Sequence, residues 1–337
     1  MNGCRGRRSW HVTFGHPLGM ELTPWSNQFV LASRARSLDR SHELQQMVRR
    51  GELVRVSRGV YRHAWAITND PERRADDEYI ARIRAAQLRS EERLVVSGLS
   101  AAAVWDLPIV GTWPTLVSVA SEREVGGRSN AHLARSYVGY PPPVVERGGL
   151  VTTSLARTVA DVARVETMER AVAIADAALR GQKAAGGRAF RAPISKAAVA
   201  TELESLNRAP GAAKARGVLS FADGKSGSAG ESCSRVGVWK LGLPSPVLQE
   251  AFYDDEGFVG YVDFWWPGCK LIGEFDGRGK YLRDEYTAGR STATIVLLEK
   301  EREDRLRALG FRVVRWDWAT ALDLRLLEAK LRGAGLQ

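Results

Sequence analysis

The stretch Tyr261-Val-Asp-Phe-Trp-Trp-Pro-Gly-Cys-Lys-Leu-Ile-Gly-Glu-Phe-Asp-Gly277 decides how this chain reads. Its apolar residues, Val262, Phe264, Trp265, Trp266, Leu271, Ile272 and Phe275, predict two buried β-strands joined by a Pro267-Gly268 turn. Three carboxylates sit at the strand ends: Asp263 in the first strand, Glu274 and Asp276 in the second. An acid on a buried strand costs free energy unless it is paired, hydrogen-bonded or bound to a metal. Asp263 and Glu274 are 11 residues apart, a spacing that lets a hairpin bring them together. Residues i and i+2 of a strand share a face, so Asp276 is expected to point the same way as Glu274. Oxygen donors of this kind suit Mg²⁺, with Mn²⁺ able to substitute.

Outward from this hairpin, residues 228–337 predict an α/β unit. The order is helix 229–241, strands 247–252, 259–266 and 270–276, helix 295–309, strand 312–316 and helix 321–331. The N-terminal half reads as α+β. Residues 25–65 give helix, turn, helix and a small β-hairpin, with Gly51 ending the second helix and Ser57-Arg58-Gly59 making the turn. Arg40, Arg49, Arg50, Arg55 and Arg58 stud that helix and hairpin. A second helix followed by a basic wing is the layout of a winged helix-turn-helix, which sets a helix in the major groove of double-stranded DNA. Residues 76–181 mix helices (78–89, 97–105, 155–162, 166–179) with strands (116–120, 144–152). Residues 182–227 predict a Gly/Ala/Lys/Arg-rich linker followed by helices 195–206 and 212–221. Residues 1–24 read as a disordered leader, within which Met20 is a candidate for the true start of the protein.

Composition narrows the classes. A net charge of +10 and a pI near 9.8 favour a polyanionic partner. Cys4, Cys233 and Cys269 are far apart, which argues against a disulfide framework or a structural zinc and for a reducing cytoplasm. No apolar run reaches the ~18 residues that span a bilayer, and no secretory signal is visible. The five histidines, His11, His16, His42, His63 and His132, are scattered and predict no metal site.

Two families are resembled. Residues 228–320 resemble the PD-(D/E)XK nuclease superfamily, in the branch related to very-short-patch-repair endonucleases. The matching pieces are Glu231, Gly242-Leu-Pro244 with Gln249, Val262-Asp-Phe264, Glu274-Phe-Asp-Gly277 with Lys280-Tyr281, Glu299 to Arg305, and Gly310 to Trp316. The N-terminal half is similar to the AbiEi antitoxins of bacterial type IV toxin–antitoxin systems. It matches over residues 31–64, at Ser97 to Pro108, and at Val151 to Asp161. In that family the winged helix has a longer leading helix, which residues 25–36 would supply here.

The first resemblance implies a restriction-endonuclease-like αβββαβ domain that hydrolyses phosphodiester bonds in DNA. Asp263 and Glu274 would hold Mg²⁺, Asp276 would orient it or recruit a second ion, and Glu231 would complete the set. Lys280 would stand in for the lysine usual at the position of Asp276, and Arg302 and Arg305 would clamp a phosphate. The second resemblance implies a transcriptional repressor or antitoxin with a cognate toxin protein as partner, the nuclease fold being inactive. Duller readings remain beside these. Asp263 and Glu274 can form a structural ion pair with Arg302 or Arg305, and Glu231 can serve its own helix as a first-turn acid. Arg302, Arg305 and Lys280 can be solvated, and Asp276 can belong to an Asp-Gly turn.

Overall fold

The alternating residues around Leu53 and Val60 build a small sheet, not an isolated hairpin. The computed structural model describes residues 25–121, 132–136, 142–184, 190–277 and 292–337. The expected leader with Met20, and Lys280, lie outside the described residues. In the N-terminal region, β1 (Phe29–Leu31), α1 (Ala32–Ser37) and α2 (Ser41–Arg49) precede β2 (Leu53–Ser57) and β3 (Val60–His63). The strands pair antiparallel in the order β1-β3-β2. The helix expected over residues 25–36 is a 3-10 turn at Ser26–Gln28, then β1, then the short α1. Phe29 and Val30 are buried on a strand, where β-branched and aromatic side chains pack well, and helix begins only at Ala32.

In the middle region, α3 (Arg74–Arg89), β4 (Val95–Val96), α4 (Gly98–Val104), β5 (Val117–Ala120), β6 (Leu133–Ser136), β7 (Val144–Arg147) and β8 (Leu150–Thr153) come first. The helices α5 (Leu155–Val165), α6 (Met168–Arg180), α7 (Lys196–Ser205) and α8 (Ala212–Phe221) follow. The mixed sheet runs β6-β5-β4-β8-β7. The single strand expected over 144–152 is two, because Gly148 (φ 56°) and Gly149 (φ 72°) turn the chain back. Ser154 caps α5, its hydroxyl accepting from Arg157 N–H. The expected linker is pinned at both ends: Gln182 bridges to Arg191, and Arg191 is buried, donating to the carbonyls of Trp105, Asp106 and Ala177. Val199 and Leu203 of α7, Leu206 just past its end, and Ala215 and Val218 of α8 join the same core as α4, α5 and α6.

The C-terminal region contains α9 (Ala229–Lys240), β9 (Val247–Asp254), β10 (Gly257–Trp266), β11 (Leu271–Phe275), α10 (Thr292–Ala308), β12 (Arg312–Trp316), α11 (Trp318–Leu322) and α12 (Leu324–Gly333). The last helix expected as one piece is two, since the Asp323 carboxylate caps α12 by accepting from Arg325 and Leu326 N–H. Strand order is β12-β11-β10-β9, with β9, β10 and β11 antiparallel and β12 parallel to β11 across α10. Thus the predicted order holds: helix, three strands, helix, strand. Phe264, Trp266, Phe275 and Trp316 are buried against α9 and α12, each contributing on the order of 1.5–3 kcal/mol by burial. Trp316 Nε1 donates to Ser234 and Trp266 Nε1 to the Pro244 carbonyl, so the indoles serve as core. Trp265 packs partly into the cluster under α10, while Trp318 remains more exposed and meets Phe275 edge-on. The chain is mixed α/β, and no described helix is long and apolar enough to cross a membrane.

Candidate carboxylate site and basic helix

The Pro267-Gly268 turn closes as one 3-10 turn, with Lys270 in the left-handed region, and sets the register of the hairpin. Trp266 faces Leu271, Trp265 faces Ile272 and Phe264 faces Gly273. One step beyond, Asp263 and Glu274 come side by side where the ladder stops. There Asp263 replaces a backbone partner: its Oδ2 accepts from Phe275 N–H at 2.9 Å. Its Oδ1 accepts from Gln249 Nε2 at 3.1 Å. The same amide donates to Glu231 Oε2 at 3.1 Å. Gln249 therefore bridges two carboxylates from different elements, and it does so from a strand position with φ 52°. Such a conformation costs of order 1 kcal/mol or more in a non-glycine residue.

Glu231 is buried in the first turn of α9. Its N–H donates to Ser228 Oγ at 3.2 Å and its carboxylate accepts from Gly227 N–H at 2.6 Å. It thus serves its own helix end, as the duller reading held, and also reaches Gln249. Gly230 is the residue that lets this turn sit close: a Cβ there would lie 2.0 Å from the Phe275 ring.

Glu274 is buried as well, 6% exposed. Arg302 of α10 pairs with its Oε1, and Arg315 of β12, its registered neighbour, with its Oε2 at 2.9 Å. Burial pushes the Glu274 carboxyl up; Arg302 and Arg315 pull it back without cancelling the shift, and the nearby charge of Asp263 adds to it. Arg315 also pairs with Glu303 at 2.9 Å and Glu299 at 3.6 Å. Arg305 is engaged elsewhere, paired with Asp254 at 2.5 Å at the β9–β10 turn. Arg302 and Arg305 thus each hold a different carboxylate, with part of each side chain still exposed. Asp276 is half-buried, and its N–H donates to the Trp316 carbonyl at 2.8 Å.

Among the described residues no group of three or more His, Cys, Asp or Glu side chains is arranged to hold a metal ion. The donor chemistry of Asp263 and Glu274 fits a hard divalent cation. Both Glu274 oxygens meet a guanidinium, so binding an ion there requires exchange of an ion pair. Sequence reasoning did not single out Arg315. Its signal was present, since a lone charge in the apolar run Val313-Val-Arg-Trp316 demands a buried partner.

At the other end of the chain, Arg49, Arg55 and Arg58 are exposed on α2 and the β2–β3 hairpin, and no described carboxylate pairs with them. Arg40 pairs with Glu43 at 2.6 Å and Arg50 with Glu52 at 2.9 Å. Arg62 points inward, where it is buried against Asp77 at 2.7 Å.

No family model matches the chain. Two curated relatives are similar to part of it: "Uncharacterized protein MT2308" of Mycobacterium tuberculosis strain CDC 1551 / Oshkosh and "Uncharacterized protein Rv2248" of strain H37Rv. Each is 35% identical over 166 residues, which is 49% of this chain and 54% of the relative. The chain spans about half the length of the curated relatives it matches.

Proposed function

We propose that the protein binds duplex DNA through its basic N-terminal helix and hairpin and hydrolyses phosphodiester bonds with its C-terminal domain, which resembles PD-(D/E)XK nucleases. The observation that carries the reading is the meeting of Asp263 and Glu274 at the open end of one antiparallel hairpin, backed by Gln249 and Glu231. The strand order and the helix between β11 and β12 agree with it. Asp263 and Glu274 would hold Mg²⁺ or Mn²⁺, which supplies Lewis acidity toward the phosphodiester. Asp276, at the same strand end, would orient the site. Lys280 would supply the cationic group that the resemblance asks for. Arg40, Arg49, Arg50, Arg55 and Arg58 would contact phosphate, and the net charge of +10 supports such a partner.

The test is plasmid nicking by the full chain with Mg²⁺ or Mn²⁺, wild type beside Glu274→Ala. The expected result is cutting that the substitution abolishes. Equal cutting by both proteins would refute the assignment.

A second reading has its own support. Glu274 is neutralised by two arginines, and Asp276 stands where lysine is usual. Both favour a DNA-gripping repressor or antitoxin in which the nuclease fold is inactive, with a cognate toxin as partner. In that case the wild type would shift a DNA fragment in a gel yet leave plasmid intact at every metal concentration.

A further inference from the structure

Resting on the nuclease reading above, we infer that Arg302 is a displaceable latch on Glu274: it holds the carboxylate until a divalent cation replaces it, and then turns to the substrate phosphate. The two arginines on Glu274 are not equivalent. Arg315 sits in a strand and has Glu299 and Glu303 besides Glu274, so it keeps two carboxylates if the third is lost. Arg302 comes from the flank of α10 with a quarter of its side chain exposed, and Glu274 is its one ion-pair partner among the described residues. Its other contact is the Tyr261 carbonyl at 3.1 Å, which tethers the guanidinium at the rim beside Asp263.

The pairing gives the direction of exchange. Both Glu274 oxygens meet a guanidinium, Arg302 on Oε1 and Arg315 on Oε2, so that carboxylate has no oxygen open to a cation until one arginine leaves. Departure of Arg302 uncovers one Glu274 oxygen and restores one negative charge. A guanidinium then standing beside a divalent cation is repelled from it, whereas a phosphate oxygen offers it a two-pronged partner. Arg302 is thus a positioning residue in the resting protein and a phosphate contact only after exchange.

The measurement is Mn²⁺ binding to the full chain, followed by the loss of the free-ion electron paramagnetic resonance signal at fixed ionic strength. Wild type, Arg302→Gln, Arg302→Lys, Glu274→Ala and the control Arg332→Gln, whose partner is Glu328 on α12, are compared. The latch predicts roughly tenfold tighter Mn²⁺ binding in Arg302→Gln, an intermediate gain in Arg302→Lys, wild-type affinity in Arg332→Gln and loss in Glu274→Ala. Unchanged affinity in both Arg302 variants, with loss in Glu274→Ala, would overturn the latch and leave the cation site standing. Binding that is indifferent to Glu274→Ala, or absent from every protein, would overturn the nuclease reading and the latch with it.

Discussion

His63 shows how one side chain couples this fold to pH. It ends β3, stacks on Trp65 with ring centroids 5.6 Å apart, and is half-buried. Burial pushes its imidazole below the ordinary value of 6.5, with Glu52 pulling weakly the other way. Folding therefore favours the neutral ring. Its contribution to stability is present above the ordinary histidine value and is lost as pH falls through that value toward the lowered one. His63→Phe, which keeps a ring against Trp65, is expected to lose less melting temperature than wild type between roughly pH 7 and pH 5. Parallel loss in both proteins, seen by circular dichroism, would refute it. Arg62, next in sequence, reads as one more basic residue of a wing. Its partner Asp77 is 15 residues away on another element, so its inward turn was not legible locally. The same holds for Glu274: the acid was visible in the sequence, but its two arginines lie on α10 and β12.

At the scale of elements, legibility followed the strength of the local pattern. The strands β10, β11 and β12 came out within a residue or two of their observed ends, because their apolar runs are continuous and bounded by Gly or Pro. By contrast β4 is two residues long and exists through its neighbours β5 and β8, so no periodicity could announce it. The break in the expected strand 144–152 was written in Gly148-Gly149, and the break in the last helix in Asp323, a capping residue. The element on which the proposed DNA binding rests is α2. Its buried face, Leu44 and Met47, packs on Ala35 and Leu53, leaving Arg49 and Arg50 outward at its end. Arg49→Ala with Arg50→Ala is expected to weaken duplex binding about uniformly across sequences. It should also reduce the salt slope by about one to two. An unchanged slope in fluorescence anisotropy titrations would remove α2 from the interface.

At the scale of the molecule, the unit expected to begin after residue 227 does not stand apart. Its first helix, α9, packs along α6, and Val236 belongs to the core of the middle region. Buried Asp176 of α6 pairs with Arg235 at 2.7 Å and accepts from Ser232 at 2.8 Å and from Asp223 N–H at 2.7 Å. Removing one member of such a buried pair strands the other charge. Asp176→Ala is expected to cost about 3–5 kcal/mol, read from urea unfolding. Tryptophan fluorescence and far-ultraviolet dichroism should move together through one transition. A loss under 1 kcal/mol would mean that Arg235 finds water instead. No sequence pattern foretold this seam, because Asp176 sits in an Ala-rich run whose demand for a partner is met 59 residues later.

The kink at Gln249 has one more effect. β9 is the outermost strand of its sheet and eight residues long, the kind of open margin along which a stranger's backbone can zip into fibrils. A left-handed residue third from its start turns the amide and carbonyl directions out of step. An incoming strand would lose its bonding rhythm there, so the distortion that aims an amide at two acids also guards the molecule against self-assembly.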